Sequence, residues 1–308
     1  MINVSVKIST NSLIFEIFLS LNLSILDFSI NLTNNQNYLT MDFYYKFLNQ
    51  NQKIPMHRVI TVANQKGGVG KTDLAVNLSS LLAGMGKRVL LIDFDPQANA
   101  SYYLAKDSFR VTTADVLLDG IALDDIIVKS VVKGLDIAPA SIGLSAAQLR
   151  LASDVNMQFK LKKALTAIKN HYDYILIDTP PSLGPLTINA FAAADGILVP
   201  VQTHFFPVHG LSDLLKTVDE LREVVNPNLQ FYGIVLTMYD RRTRLAKDVQ
   251  QVVTARFNGK VFKTVIPVCI KLAEAPSHRK PITLYAPSNK IAKVYTQLTE
   301  EFLQRLEN

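Results

Sequence analysis

The run Lys66-Gly67-Gly68-Val69-Gly70-Lys71-Thr72 follows the apolar segment Val59-Ile60-Thr61-Val62-Ala63 and leads into the helix-forming segment Leu74-Ala75-Val76-Asn77-Leu78. A buried strand, a glycine-rich loop and a helix, in that order, make a phosphate cradle. The glycines let successive backbone N–H groups point at phosphate oxygens, and the helix N-terminus favours negative charge. In such a loop Lys71 reaches the β- and γ-phosphates of a nucleotide, and the Thr72 hydroxyl ligates Mg²⁺. The usual pattern has glycine where this chain has Gln65, and it does not require Lys66. The extra lysine at the loop entrance is the informative departure.

From residue 57 onward, short apolar runs alternate with amphipathic ones. Strands are expected at 59–63, 88–92, 174–177, 196–201, 231–236 and 261–266, and helices at 74–83, 145–169, 185–194, 211–225, 244–257 and 288–306. Near-continuous apolar strands separated by helices imply an α/β fold, a mostly parallel sheet covered by helices on both faces. With no internal repeat and no low-complexity linker, one domain over residues 56–308 is the economical organisation. Residues 1–55 differ in texture: they are rich in Asn, Ile, Leu, Ser and Phe, and contain no glycine. The apolar stretch 13–28 is shorter than the ~20 residues of a membrane helix and carries Glu16 and Asp27. Two readings stand for this segment. It is a poorly ordered appendage, or it lies upstream of a true start at Met56; the second is favoured.

The single cysteine, Cys269, excludes an internal disulfide framework and a metal or iron–sulfur site built from cysteines of one chain. Two acidic segments stand where parallel strands would end. Leu91-Ile92-Asp93-Phe94-Asp95-Pro96-Gln97 and Ile177-Asp178-Thr179-Pro180-Pro181 both follow apolar runs. Ligands of open α/β sheets bind beyond the carboxyl ends of the strands, so these carboxylates should face the glycine loop. There one carboxylate can hold Mg²⁺, usually through water, and another can orient a water that attacks the γ-phosphate. The charge is uneven. The chain carries a net +6, but residues 240–308 hold 13 Lys/Arg against 6 Asp/Glu, a net of +7, leaving −1 for the rest. A basic last quarter suggests a polyanion-facing surface, nucleic acid being the commonest such partner.

Together these segments resemble the deviant Walker A ATPases, specifically the ParA/Soj partition proteins, from about Val59 to the C-terminus. The resemblance rests on the loop with Lys66 and Lys71, on 93–99 (Asp-Phe-Asp-Pro-Gln-Ala-Asn) and on 178–181 (Asp-Thr-Pro-Pro). It extends to Thr237-Met238-Tyr239-Asp240 with Arg242-Thr243, to Ile266-Pro267, and to Glu274-Ala275-Pro276-Ser277-His278 with Lys280-Pro281. The resemblance implies a P-loop NTPase fold, ATP and Mg²⁺ as cofactors, and a homodimer with ATP sandwiched between subunits. In it, Lys66 crosses to the partner subunit's phosphates, while Lys71 and Thr72 serve their own subunit. Asp95 positions the hydrolytic water, and Thr72, Asp93 and Asp178 support the metal. Gly67, Gly68, Val69, Gly70, Lys71, Thr72 and Asp73 surround the phosphates, and Met238 and Pro267 border the adenine. The implied activity is slow ATP hydrolysis, raised by a ParB-like centromere-binding protein. It is coupled to sequence-independent DNA binding in partition of plasmid or chromosome, in the cytoplasm at the nucleoid, with no membrane partner.

Two departures stand out. Asp73 replaces the Thr or Ser usual in the family and is expected to turn outward, away from the phosphates. Val268-Cys269-Ile270-Lys271 replaces a segment that often carries Arg-Asn, with Arg279 and Lys290 close enough in sequence to compensate. The DNA-facing candidates are Arg241, Arg242, Arg244, Lys247, Lys271, Arg279, Lys280, Lys290 and Lys293, any of which is also an ordinary solvated charge. His204 and His209 read as loop packing, Tyr102 and Tyr103 as core or interface aromatics, and Cys269 as a passive thiol. The alternatives are a membrane-cycling ATPase of the MinD type, an orphan relative that positions protein cargo, and a non-catalytic binding module. The C-terminal tail, with three glutamates and one arginine over 297–308, argues against the first.

Overall fold

The computed structural model describes residues 58–105, 109–152, 158–203 and 207–307; the expectations for residues 1–55 lie outside them. The order is β1 (Arg58–Val62), α1 (Lys71–Gly84), β2 (Val89–Asp93), α2 (Asn99–Leu104), α3 (Thr113–Asp119), α4 (Leu123–Ile126), β3 (Val128–Lys129) and β4 (Leu135–Ala138). There follow α5 (Gly143–Leu151), α6 (Lys160–Leu165), β5 (Tyr174–Asp178), α7 (Pro185–Ala193), β6 (Gly196–Gln202), α8 (Pro207–Val224) and β7 (Gln230–Thr237). The chain closes with α9 (Arg244–Arg256), α10 (Ile270–Glu274), α11 (Ile282–Tyr285) and α12 (Lys290–Glu307).

The strands form one seven-stranded sheet in the order β3-β4-β2-β5-β1-β6-β7, parallel except for the two-residue edge strand β3. Successive side chains of a strand point to opposite faces, and each face buries its own core. Val59, Leu90, Ile92, Ile175, Ile177, Ile197 and Val199 face α3 and α5–α9. Ile60, Val62, Leu91, Leu176, Leu198 and Val235 face α1, α2 and α12. Both faces being covered explains why these strands read as unbroken apolar runs. In α1, Leu74, Leu78 and Leu82 fall at i, i+4 and i+8 and are fully buried, each contributing about 2 kcal/mol of apolar burial.

Two expectations are corrected, and several short elements are added. Residues 261–266 form no strand, touching β7 only through an isolated bridge between Ile234 and Val261 and through bonds from Phe262 N–H to Ile234 O and Ile266 N–H to Leu236 O. The reason lies in α12, where the Glu301 carboxylate accepts the N–H groups of Lys263 and Thr264 at 2.8 and 2.9 Å, taking them out of any ladder. The helix expected over 145–169 is interrupted, with α5 ending at Leu151 and α6 beginning at Lys160, where the Asn189 side chain accepts Leu161 N–H. The short elements β3, β4, α2, α3, α4, α10 and α11 were not anticipated. In β4 a charged residue, Asp136, breaks the apolar run; Lys129 Nζ at 2.9 Å and the Tyr172 hydroxyl at 3.0 Å satisfy it. α3 did carry a legible start, a capping box in which Thr112 and Asp115 satisfy each other's backbone N–H groups.

Candidate active site

The site is assembled at the carboxyl ends of three adjacent strands. In register, Val62 of β1 lies beside Asp178 of β5, and Asp178 lies beside Asp93 of β2. The glycine loop leaves β1 at this edge, next to both carboxylates. Its backbone turns through left-handed conformations at Gly68 (φ 72°) and Gly70 (φ 85°), the latter capping α1. A side chain at either position would be strained, so the two glycines are demanded by geometry. Val69 is buried, and its carbonyl accepts the Thr237 hydroxyl at 2.8 Å, which pins the loop to the end of β7.

The two lysines of the loop stand in different environments. Lys71 is buried, and its Nζ donates to the Lys66 carbonyl at 3.2 Å. Burial lowers its pKa, while the charges of Asp178 and Asp95 pull the other way. Lys66 is exposed at the loop entrance; its N–H donates to Asn64 Oδ1 at 3.0 Å, and Asn64 is itself anchored to Pro200 O at 2.7 Å.

The three carboxylates are buried in different settings. Asp93 Oδ2 accepts both the N–H and the hydroxyl of Ser101 at 2.7 Å, and Oδ1 accepts Asp95 N–H. Burial raises its pKa to about 6 against these hydrogen bonds, with Asp95 adding like charge. Asp95 is 7% exposed, and its Oδ1 accepts Gln97 N–H at 2.9 Å. No hydrogen bond reaches either oxygen of Asp178, although the residue is fully buried. Its pKa is driven well up by burial and by Asp93; the nearby Thr72 hydroxyl and Lys71 ammonium oppose the shift. An orphaned buried carboxylate costs several kcal/mol unless something completes it. A hydrated divalent cation held by the Asp178 carboxylate and the Thr72 hydroxyl would satisfy these oxygens. Among the described residues no cluster of three or more His, Cys, Asp or Glu forms an all-protein metal cage. Mg²⁺ ordinarily needs none, taking one or two protein ligands with phosphate and water.

Tyr239, next to Met238, forms an isolated bridge with Pro267, and its N–H donates to Ile266 O at 3.0 Å. Met238 adopts a left-handed backbone (φ 51°), and its sulfur accepts Gln202 Nε2 at 3.0 Å. The sequence alone gives no role to Ser101, Thr237 and Asn64, small polar residues that hold the site from α2, the end of β7 and the loop after β1. Ser101 and Asn64 stand near the acidic and glycine segments, and Thr237 within a segment of the family resemblance.

The Asp73 carboxyl lies on the side of α2 and α12: burial raises the pKa of the Tyr103 and Tyr295 phenols there, and the charge of Asp73 raises it further. Loss of solvent pushes the pKa of Asp73 itself up to about 6 from an ordinary 3.8. Such a group stabilises the fold while protonated, and that contribution is lost as pH rises from about 4 through about 6. Asp73→Asn is therefore expected to raise unfolding stability at pH 7.5 by on the order of 2–3 kcal/mol and to flatten the pH 4–6 slope in thermal melts. Asp73→Thr should also tighten ATP binding in a titration. A melting temperature that does not change for either variant contradicts this placement.

The basic candidates fall in two groups. Arg242 forks onto Asp240 at 2.9 and 3.0 Å, an exposed pair that lowers the Asp240 pKa to about 2, and Arg244 lies 3.8 Å from Asp248. Lys247 is exposed on the same helix, α9. In the second group Lys271 bonds Glu274 at 2.8 Å, Arg279 lies over the Tyr102 ring, and Lys280, Lys290 and Lys293 are exposed. The Tyr239–Pro267 bridge sets the start of one group beside the start of the other. His204 lies outside the described residues, as does the side chain of His209.

A family model described as an AAA domain matches residues 57–231. The sporulation initiation inhibitor protein Soj of Bacillus subtilis (strain 168) is 47% identical over 248 residues, spanning 80% of this chain and 98% of its own. The chain belongs to the ParA/Soj family of ATPases. The chromosome partitioning protein ParA of Caulobacter vibrioides (strain NA1000 / CB15N) is 44% identical over 252 residues, spanning 80% of this chain and 94% of its own. Among solved structures, cobyrinic acid a,c-diamide synthase from Mycobacterium smegmatis with bound ATP analog and magnesium superposes with a TM-score of 0.72 at 31% identity. It covers 82% of this chain and 96% of its own. The fold of this ParA/Soj-family chain is thus that of a P-loop NTPase, and its nucleotide and metal are ATP and Mg²⁺.

Proposed function

We propose that this chain is a Mg-ATP-dependent ATPase that dimerises on ATP, binds DNA without sequence preference and drives chromosome or plasmid partition. The observation that carries the reading is the pair of loop lysines, Lys71 buried against its own site and Lys66 exposed at the entrance. A lysine that serves its own nucleotide is already present, so the exposed one is available to a second subunit's phosphates.

Thr72, Asp93 and Asp178 would hold the hydrated Mg²⁺, which would neutralise charge on the phosphates when bound. Lys71 leaves the Lys66 carbonyl for the β- and γ-phosphates, Asp95 orients the attacking water, and Lys66 from the facing subunit stabilises the charge that develops in transfer. A cation supplied in trans makes hydrolysis depend on the dimer, so turnover by the free chain is slow. A ParB-like centromere-binding protein that organises this face raises the rate, and the working location is the nucleoid, in the cytoplasm.

The MinD-type reading is disfavoured by α12. Its apolar side, Tyr295, Leu298 and Phe302, is buried against the domain, and Glu301 and Arg305 tie it to residues 259–264. That side is not available to a bilayer. No described helix is long and apolar enough to cross a membrane.

Lys71→Ala is expected to weaken ATP binding by at least about 100-fold, because a charge-assisted phosphate contact is lost from a buried site. With it should go ATP-dependent retention of a random-sequence DNA duplex. Full DNA retention by Lys71→Ala in ATP would overturn the nucleotide gate.

A further inference from the structure

We propose that Tyr102 is a positioning residue for DNA contact, which holds the Arg279 guanidinium at the surface and ties it to the loop bearing Asp93 and Asp95. The inference rests on the DNA-binding reading above and adds to it a physical link between the nucleotide site and the basic surface.

The first observation is the stack itself. The Arg279 guanidinium carbon lies 4.6 Å from the centroid of the Tyr102 ring. Tyr102 is 53% exposed, whereas its neighbour Tyr103 is 1% exposed, so the Tyr102 ring is no part of the core. A guanidinium lying over an aromatic face is attracted by the ring and keeps its N–H edge in plane, the edge that grips a phosphate bidentately.

The second observation is backbone strain at both ends of the stack. Among the described residues only Ala98, Met238 and Arg279 are non-glycine residues with positive φ. Arg279 (φ 51°) closes the short 275–278 turn with its N–H on Pro276 O at 2.9 Å, a position that glycine would fill without strain. Ala98 (φ 53°) caps the start of α2, the helix that carries Tyr102. Strain of this kind persists where surrounding structure over-determines it, and it gathers at functional sites.

The third observation is the tether from α2 to the catalytic loop. Ala98 N–H donates to Asp95 O at 2.9 Å, Tyr102 N–H donates to Ala98 O at 3.0 Å, and Ser101 gives both its N–H and its hydroxyl to Asp93 Oδ2. Tyr102 is thus one residue from a direct bond to Asp93 and one helical turn from Ala98, which is itself bonded to the Asp95 backbone. Any rearrangement of that loop around a nucleotide displaces the ring, and with it Arg279. An arginine on an unbraced loop would not feel the nucleotide; this one is braced against it.

The test is equilibrium binding of a fluorescent random-sequence duplex to the full chain in Mg-ATP over a salt series, with melting temperature as a folding control. Tyr102→Leu and Arg279→Ala are each expected to weaken binding by about 3- to 10-fold and to reduce the salt slope by about one, the loss of one phosphate contact. The double variant should bind as either single does, and Tyr102→Phe, which keeps the ring, should bind like the wild type. A merely structural tyrosine would not change the salt slope. Arg279 is half-buried, so Arg279→Ala carries the same melting-temperature control, and a folded Arg279→Ala decides the case if Tyr102→Leu fails to fold. Wild-type affinity in Arg279→Ala or in a folded Tyr102→Leu overturns the inference alone. So does a double variant that loses the product of the two single effects. A wild-type chain that does not bind the duplex in ATP overturns both the inference and the DNA reading.

Discussion

Lys66→Ala is expected to stay monomeric in saturating Mg-ATP, where the wild-type chain becomes a dimer by light scattering or sedimentation. The substitution leaves the cradle of the subunit's own nucleotide intact. Lys71, the turns at Gly68 and Gly70, and the Thr237–Val69 bond do not depend on the Lys66 side chain, because it is the Lys66 carbonyl that Lys71 contacts. ATP should therefore bind the variant with little loss while dimerisation fails. Turnover should fall by about 10³-fold, the scale of a cation supplied in trans to the transferring phosphoryl group. ATP-dependent dimers of Lys66→Ala at wild-type concentrations would remove the role assigned to this side chain.

Asp95→Ala is expected to give the opposite phenotype, a chain that binds ATP and dimerises but scarcely hydrolyses. Asp95 is buried beside Lys71 and Asp178, and its Oδ1 is fixed by Gln97 N–H, so its carboxylate plane is set before nucleotide arrives. Loss of a water-orienting carboxylate typically costs about 10²–10⁴ in rate. Single-turnover hydrolysis should slow by that factor while the ATP dissociation constant moves little, and the dimer should persist. Because Asp95 and Lys66 act at different stages, the two variants separate assembly from chemistry. A hydrolysis rate within a factor of about two of the wild type would exclude Asp95 as the group that orients water.

The parts of this fold legible in the sequence are those where a single physical constraint dominates. β1, β2 and β5 are buried on both faces, so their apolar runs could be read directly, and an Asp at the end of two of them marked the ligand edge. The glycine loop was legible because the positive φ at Gly68 and Gly70 admits almost no other residue. Where long-range contacts decide, the sequence was silent. Residues 261–266 have a strand's composition but lose two N–H groups to Glu301, which lies almost forty positions further on. β4 was hidden by Asp136, whose partners come from β3 and from Tyr172. The side to which Asp73 turns is marked by Tyr103 and Tyr295, and no local pattern connects them to it. Tyr102 and Arg279 are likewise distant in sequence, and only the structure shows them stacked.

The central claim is that ATP gates attachment to DNA through its phosphates, and wild-type binding to two unrelated duplexes of equal length tests it most directly. The predicted result is binding in Mg-ATP that is equal for the two sequences, much weaker in ADP or without nucleotide, and steeply reduced as salt rises. Binding of the same strength in ATP, in ADP and without nucleotide would contradict it.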